Sequence, residues 1–297
     1  MQEPWPDLPL ESWHDTCDTL HMWTQIVGKI CLASTPRSNH FWNIALQITP
    51  RGLSTPAMAA GNRLFTMTFD FVAHRLAIEC SDGDAREIAL EPQTVADFYR
   101  RVMRTLREMG IDINIWTLPV EVPNPVRFEL DVEHKAYDAE RANAFWRILV
   151  AIKPVLERFR CGFVGKSSPV HFFWGSFDVA VTRFSGRRAP ERPGADAITR
   201  EAYSHEVISH GFWPGGGAVR EPVFYAYAAP EPDGLKTASV KPAAAVYNTA
   251  LSEFILPYHA VRTAGSPAAA LTEFLTSTYG AAADLAKWDR AQLERSS

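Results

Sequence analysis

A short run of residues recurs, in the same order, in both halves of the chain. Val27-Gly28-Lys29 is followed by His40-Phe41-Trp42 and then Ile48-Thr49-Pro50-Arg51. Val164-Gly165-Lys166 is followed by His171-Phe172-Phe173 and then Val181-Thr182-Arg183. The closing stretches VADFYRRVM and LTEFLTSTY correspond more loosely, and the Lys-to-His spacing shortens in the second copy. Three letters alone carry little information, but recurrence in order on matching elements predicts an internal duplication. By length, 297 residues make two average domains or one large one. The recurrence favours one core built twice: a first half over 1–110, a Pro-rich connector over 111–136 and a second half over 137–297.

Hydrophobic periodicity fills in the elements. Trp13, Cys17, Leu20, Trp23, Val27 and Ile30 recur at helical spacing over 10–31. His40, Trp42, Ile44, Leu46 and Ile48 alternate and predict a strand over 39–49. In RLFTMTFDF, Phe65, Met67, Phe69 and Phe71 point inward while Leu64, Thr66, Thr68 and Asp70 point outward. HRLAIEC and REIAL follow across the Asp82-Gly83 turn, giving an antiparallel meander. Thr94 caps a helix that Gly110 ends. A second long helix starts near Asp138 and should kink at Pro154. PVHFFWGSFDVAVTRF, AYSHEVISH and EPVFYAYAA read as strands, and a helix over 267–288 closes the chain. The expected class is α+β: antiparallel meanders with flanking helices, in two similar halves related by a pseudo-twofold.

Composition narrows the function. Thirty Lys+Arg against thirty-four Asp+Glu give a net charge of −4, which is not the signature of a nucleic-acid or membrane-surface protein. The first twenty residues lack a basic and apolar leader, and no window spans a bilayer. Cys17, Cys31, Cys80 and Cys161 are scattered, with no zinc spacing. A cytoplasmic protein with reduced thiols is expected, and nothing in the composition argues against a homo-oligomer. There is no G-x-S-x-G, H-E-x-x-H, C-x-x-C, P-loop or dinucleotide fingerprint, so no cofactor is expected on motif grounds.

The remaining chemistry clusters on the repeat and on Ser204–His210. His40 shares its predicted face with Trp42, and His171 shares its own with Phe173, Phe177 and Val179. Lys29 and Lys166 precede these strands, and with Arg183 they would hold an anion at the seam. Core packing and solvated element ends explain the same residues more simply. In SHEVISH, a strand places His205 on one face and Glu206 with His210 on the other. His171 and His205 are the candidate acid/base or metal-binding groups, with Glu206 orienting a histidine. Any divalent metal here would need His171 and His205 from neighbouring strands. The stripe His14, Asp18, His21 and Gln25 on the first helix reads as its solvated flank.

The stretches LESWHDTCDTLHMWTQIVGKI, NHFWNIALQITPRGL, GKSSPVHFFWGSFDVAVTRFSGR, REAYSHE, GFWPGG and FYAYAAPEP resemble an uncharacterised bacterial family, a domain of unknown function (DUF family 5996). The resemblance covers nearly the whole chain and implies a free-standing protein. It brings no activity and no catalytic residue with it. The residues themselves favour an enzyme acting on a small polar or anionic metabolite in a pocket between the halves. In that reading His171, His205 and Glu206 are catalytic, and Lys29, His40, Trp42, Lys166, Trp174 and Arg183 bind the ligand. The alternatives are a non-catalytic binding protein with an aromatic-lined cavity, and a partner-binding protein.

Overall fold

The computed structural model describes residues 5–217 and 219–295. Helix α1 (His14–Ser34) follows a short 3-10 turn and buries Leu20, Trp23, Ile26, Val27 and Ile30. The first sheet contains β1 (Gln47–Ile48), β2 (Gly52–Ser54), β3 (Met58–Ala60), β4 (Arg63–Asp70), β5 (Arg75–Cys80) and β6 (Ala85–Ala89), all antiparallel. Along β4 the alternation is the expected one, with Phe65, Met67 and Phe69 sealed and Leu64 exposed. Asp70 departs from it and is buried. Its carboxylate accepts from the Val72 and Ala73 N–H groups at 2.9 Å each and from Arg51 Nε at 2.6 Å, so it closes the turn into β5.

Helix α2 (Val95–Glu108) starts where Thr94 Oγ1 accepts from Asp97 N at 3.0 Å, and Gly110 ends it with φ 71°. Residues 111–136 are irregular, with one short 3-10 turn at Phe128–Leu130. Helix α3 (Ala139–Cys161) is capped by Asp138 and continues through Pro154.

The second sheet runs β11-β12-β10-β9-β8-β7, again antiparallel. Its strands are β7 (His171–Phe173), β8 (Asp178–Arg188), β9 (His205–Trp213), β10 (Val223–Ala229), β11 (Val246–Asn248) and β12 (Glu253–Pro257). Helix α4 (Ala197–Ala202) joins β8 to β9, and α5 (Tyr258–Arg262), α6 (Pro267–Leu285) and α7 (Arg290–Leu293) follow the sheet. Leu46 and Phe172 exchange backbone hydrogen bonds of 2.9 and 2.8 Å, so the two sheets meet edge to edge. One cluster of buried apolar side chains extends from Leu8 to Trp288. The class is α+β. Among the described residues, no helix is long and apolar enough to cross a membrane.

Two predicted strands differ. Residues Asn39–Ile44 form a 3-10 turn in which His40 and Phe41 are left-handed, φ 55° and 56°. The stretch 169–184 is a hairpin: β7 and β8 are joined by a turn over 174–177, with Phe177 at φ 58°. That turn changes the parity of the sheet face. His171 pairs with Ala180 and Phe173 with Asp178, so His171 does not share a face with Val179.

The order helix, antiparallel sheet, helix recurs in both halves. The matched letters do not fall on equivalent elements. Lys29 lies inside α1 whereas Lys166 lies beyond α3, and His40 sits in a 3-10 turn whereas His171 sits in a strand. Packing accounts for both glycines of the V-G-K runs. A Cβ at Gly28 would run into the Trp174 indole, and one at Gly165 would come within 2.6 Å of Leu293.

Candidate functional site

One face of the second sheet is lined by small and polar side chains. The register sets Ala180 beside Gly211 and Tyr225, and Thr182 beside Ser209 and Tyr227. With Asp178 and Phe184 these residues share the face opposite Val179, Val181 and Arg183. Over them lie the 3-10 turn carrying His40–Ile44, the connector at Val120–Glu121 and helix α4. The space between is a cavity of about 350 Å³, inside the range of small-molecule sites.

Long-range hydrogen bonds hold this roof. Gln25 on α1 donates to Val120 O at 2.7 Å and accepts from Val120 N at 2.9 Å. His21 Nε2 donates to Gly175 O at 2.8 Å, fixing the β7–β8 turn. Two members of the α1 stripe thus face other parts of the chain, Gln25 buried and His21 half-buried, and both have structural partners. Trp174 Nε1 donates to Ile44 O at 2.9 Å.

The cavity floor is acidic and tyrosine-rich. Asp178 is only 7% exposed; Tyr225 donates to its Oδ2, and Ser176 Oγ donates to its Oδ1 at 2.5 Å. Burial pushes the Asp178 carboxyl up from its ordinary range, against the pull of these two donors. Glu121, an exposed residue of the lining, is raised as well, by partial desolvation of its carboxyl and by Asp178. Tyr203 and Tyr227 share a hydrogen bond of 3.0 Å, and Thr182 and Ser209 one of 2.9 Å. Behind the tyrosine pair, burial and Asp178 raise Glu253 to about 7.

His40 also lines a second, more open cleft of about 530 Å³. Arg37, Lys166, Arg188, Arg200 and His205 surround it, with Glu201 the one carboxylate in its lining. Glu201 latches α4 to the turn: it pairs with Arg37, and its Oε1 accepts from His40 N at 3.0 Å. Lys166 Nζ donates to His40 Nε2 at 2.7 Å, while His40 Nδ1–H donates to Glu201 O at 2.9 Å. Both ring nitrogens are occupied. Burial and the neighbouring Lys166 lower His40 to about 4, so it stays neutral at pH 7. Lys166 also sits 5.4 Å above the Trp42 ring, a cation–π contact.

The candidate residues from the sequence divide cleanly. His40, Trp42 and Trp174 line the cavity, and Lys166 and His205 line the basic cleft. His171 lines neither. It is buried, burial lowers it to about 4, and its Nδ1 has no hydrogen-bond partner among the described residues. Through Ala180 it stands level with Gly211, six residues along β9 from His205, or about 20 Å at the strand rise. The two histidines cannot share a metal or a substrate atom. Among the described residues no group of three or more His, Cys, Asp or Glu is placed to hold a metal ion.

Glu206 points to the other face, where Ser185 and Arg187 both donate to it at 2.9 Å; it orients no histidine. Arg183 is buried on that face too, 3.6 Å from the Phe159 ring centroid. Lys29 is buried in α1 against Trp116, and burial lowers it to about 8. His210 is sealed beside Phe159 and Thr278. Sequence reasoning missed Asp178, Tyr203, Tyr225, Tyr227 and Glu121. The available signals were an aspartate inside the apolar run FDVAV and tyrosines two apart in FYAYA.

The fold and these sites define an antiparallel α+β protein with an aromatic cavity floored by Asp178 and a basic cleft beside it, the two sharing His40. The chain belongs to a family of unknown function, DUF5996, whose family model matches residues 5–295. No curated protein and no solved structure matches it.

Proposed function

We propose that the chain binds a small anionic metabolite, its anionic group in the basic cleft and its body in the aromatic cavity. The observation that carries this reading is the junction at His40, where the cleft lined by Arg37, Lys166, Arg188 and Arg200 adjoins a cavity walled by Trp42, Trp174 and Phe184. Arginine and lysine read carboxylates or phosphates, and aromatic walls give large apolar contact at little entropic cost. The four thiols are spread over α1, β5 and the end of α3, which suits a reducing compartment such as the cytoplasm.

An enzymatic reading has one observation of its own. The Asp178–Tyr225 pair, with Glu253 held at about 7 nearby, is a group of side chains able to move a proton. In that reading Asp178 takes the acid–base role, with His205 in the basic cleft, and no metal is required.

The test is a thermal-shift titration with benzoate, indole-3-acetate and inorganic phosphate. At a hundredfold excess over Kd, a bound anion stabilises by about 2.7 kcal/mol. For a chain of this length that corresponds to a rise of about 5 °C. The double variant Lys166→Met/Arg200→Met should lose most of the shift. An undiminished shift in that variant would place the anion elsewhere.

A further inference from the structure

The cavity has the opposite polarity to the basic cleft beside it. Asp178 is the buried carboxyl of the cavity lining, Glu121 being exposed, and among the described residues the lining holds no lysine or arginine. A buried carboxyl with no cationic neighbour is costly to keep. This one is built in with care. Gly211 has no Cβ where the Tyr225 hydroxyl lies, and that hydroxyl is aimed at Asp178 Oδ2. The residues beside it along the floor, Ala180 and Thr182, are too small to fill the space. Asp178 receives two donors, Ser176 and Tyr225, whereas an ionised carboxylate accepts about four hydrogen bonds. Aromatic faces from Phe173, Trp174, Tyr225 and Tyr227 complete the lining. Such faces attract cations most strongly where water is excluded.

We infer that Asp178 is the counter-ion for a cationic nitrogen, so that the deep end of the cavity takes the ammonium or amidinium group of a zwitterionic ligand. This rests on the reading that the anionic group lies in the basic cleft, and it adds the chemistry of the other end. Burial favours the neutral form of the Asp178 carboxyl, and a cationic group beside it supplies the counter-charge that its ionised form needs. Phe184, beside His40, is six residues along β8 from Asp178, about 20 Å of strand. The two charges of the ligand are therefore well separated, on an extended molecule rather than an α-amino acid.

The deep end is tested on the full chain with tryptamine and 2-phenylethylamine, each paired with the alcohol of the same shape. Thermal shift and isothermal titration read the binding. The expected result is at least tenfold tighter binding of each amine than of its alcohol, with the preference abolished in Asp178→Asn. The variant Ser176→Ala, which removes one donor and leaves the carboxyl, should retain the preference and shows whether disturbing this corner alone has an effect. Equal binding of amine and alcohol, or a preference that survives in Asp178→Asn, overturns the inference. If indole-3-acetate binds and neither amine does, only the cation site falls. If neither anions nor amines bind, the underlying reading falls with it.

Discussion

The two sheets are both six-stranded and antiparallel, but they use their faces differently. On the first, the inner face of β4 carries Phe65, Met67 and Phe69, all essentially without exposure. On the second, the helix-packed face is equally solid, with Val179, Val181, Ile208 and Phe212 buried, but the opposite face of β8 and β9 carries Ala180, Thr182, Ser209 and Gly211 and opens into a cavity. Both are antiparallel and both are covered by helices. Side-chain volume on one face decides whether an antiparallel sheet becomes solid core or pocket. The polar groups follow the same division. The first sheet buries Asp70 with Arg51 as partner, whereas the second buries Asp178 with hydroxyl donors and no cation.

Truncation should separate the two faces most sharply. Phe69→Ala removes a fully enclosed ring and is expected to cost about 3–5 kcal/mol in denaturant unfolding. Thr182→Ala on the cavity face should cost under about 1 kcal/mol, since its neighbours already border free space. Similar losses at both positions would erase the distinction.

Acid is the next lever, and it should act on the second sheet first. Burial holds His171 at about 4 and His210 at about 3 in the folded chain, both below the ordinary histidine range. Groups with lowered folded values stabilise fully above about pH 6.5, and that stability is lost as pH falls from there toward 4. Each should withdraw about 3 kcal/mol by pH 4, at about 1.4 kcal/mol per unit. Hydrogen exchange between pH 7 and 4 should show β7–β10 losing protection before β4–β6. Simultaneous loss would show that these imidazoles do not set the acid limit.

The smallest effect is expected in the basic cleft. Lys166→Met removes the ammonium that both hydrogen-bonds His40 Nε2 and lowers its pKa. The His40 titration followed by NMR should move upward, while stability changes by less than about 1 kcal/mol. An unmoved titration would mean that burial alone sets the protonation of His40.

Much of the fold was legible where local rules act without tertiary interference. The Phe65–Phe71 alternation, the Asp82-Gly83 turn, the Thr94 cap and the Gly110 stop each follow from period or backbone chemistry. The stretch around His40 was not, because HFWNIAL alternates like a strand. The left-handed pair His40 and Phe41 is held by contacts of His40 with Glu201, 161 residues away. The hairpin over 171–188 hid for a different reason: Gly175-Ser176 is itself a two-residue hairpin signal, but the apolar residues on both sides of it read as one unbroken strand. That missed turn altered which residues share a face, and with it the location of His171. One residue of each Lys–His pair, His40 and Lys166, borders the pocket, whereas their partners Lys29 and His171 lie elsewhere. The acidic floor was not legible, because Asp178 and the tyrosines acquire meaning only when β8, β9 and β10 are set in register.

The central claim is that the hollow face of the second sheet is a ligand site. Isothermal titration of indole-3-acetate into the native chain and into Ala180→Leu tests it most directly. Ala180→Leu adds volume to the cavity floor and leaves the charges of the cleft in place. The account predicts saturable one-to-one binding to the native chain, at least tenfold weaker in Ala180→Leu, with the two proteins melting within a few degrees of each other. Equal affinity for both proteins would contradict it.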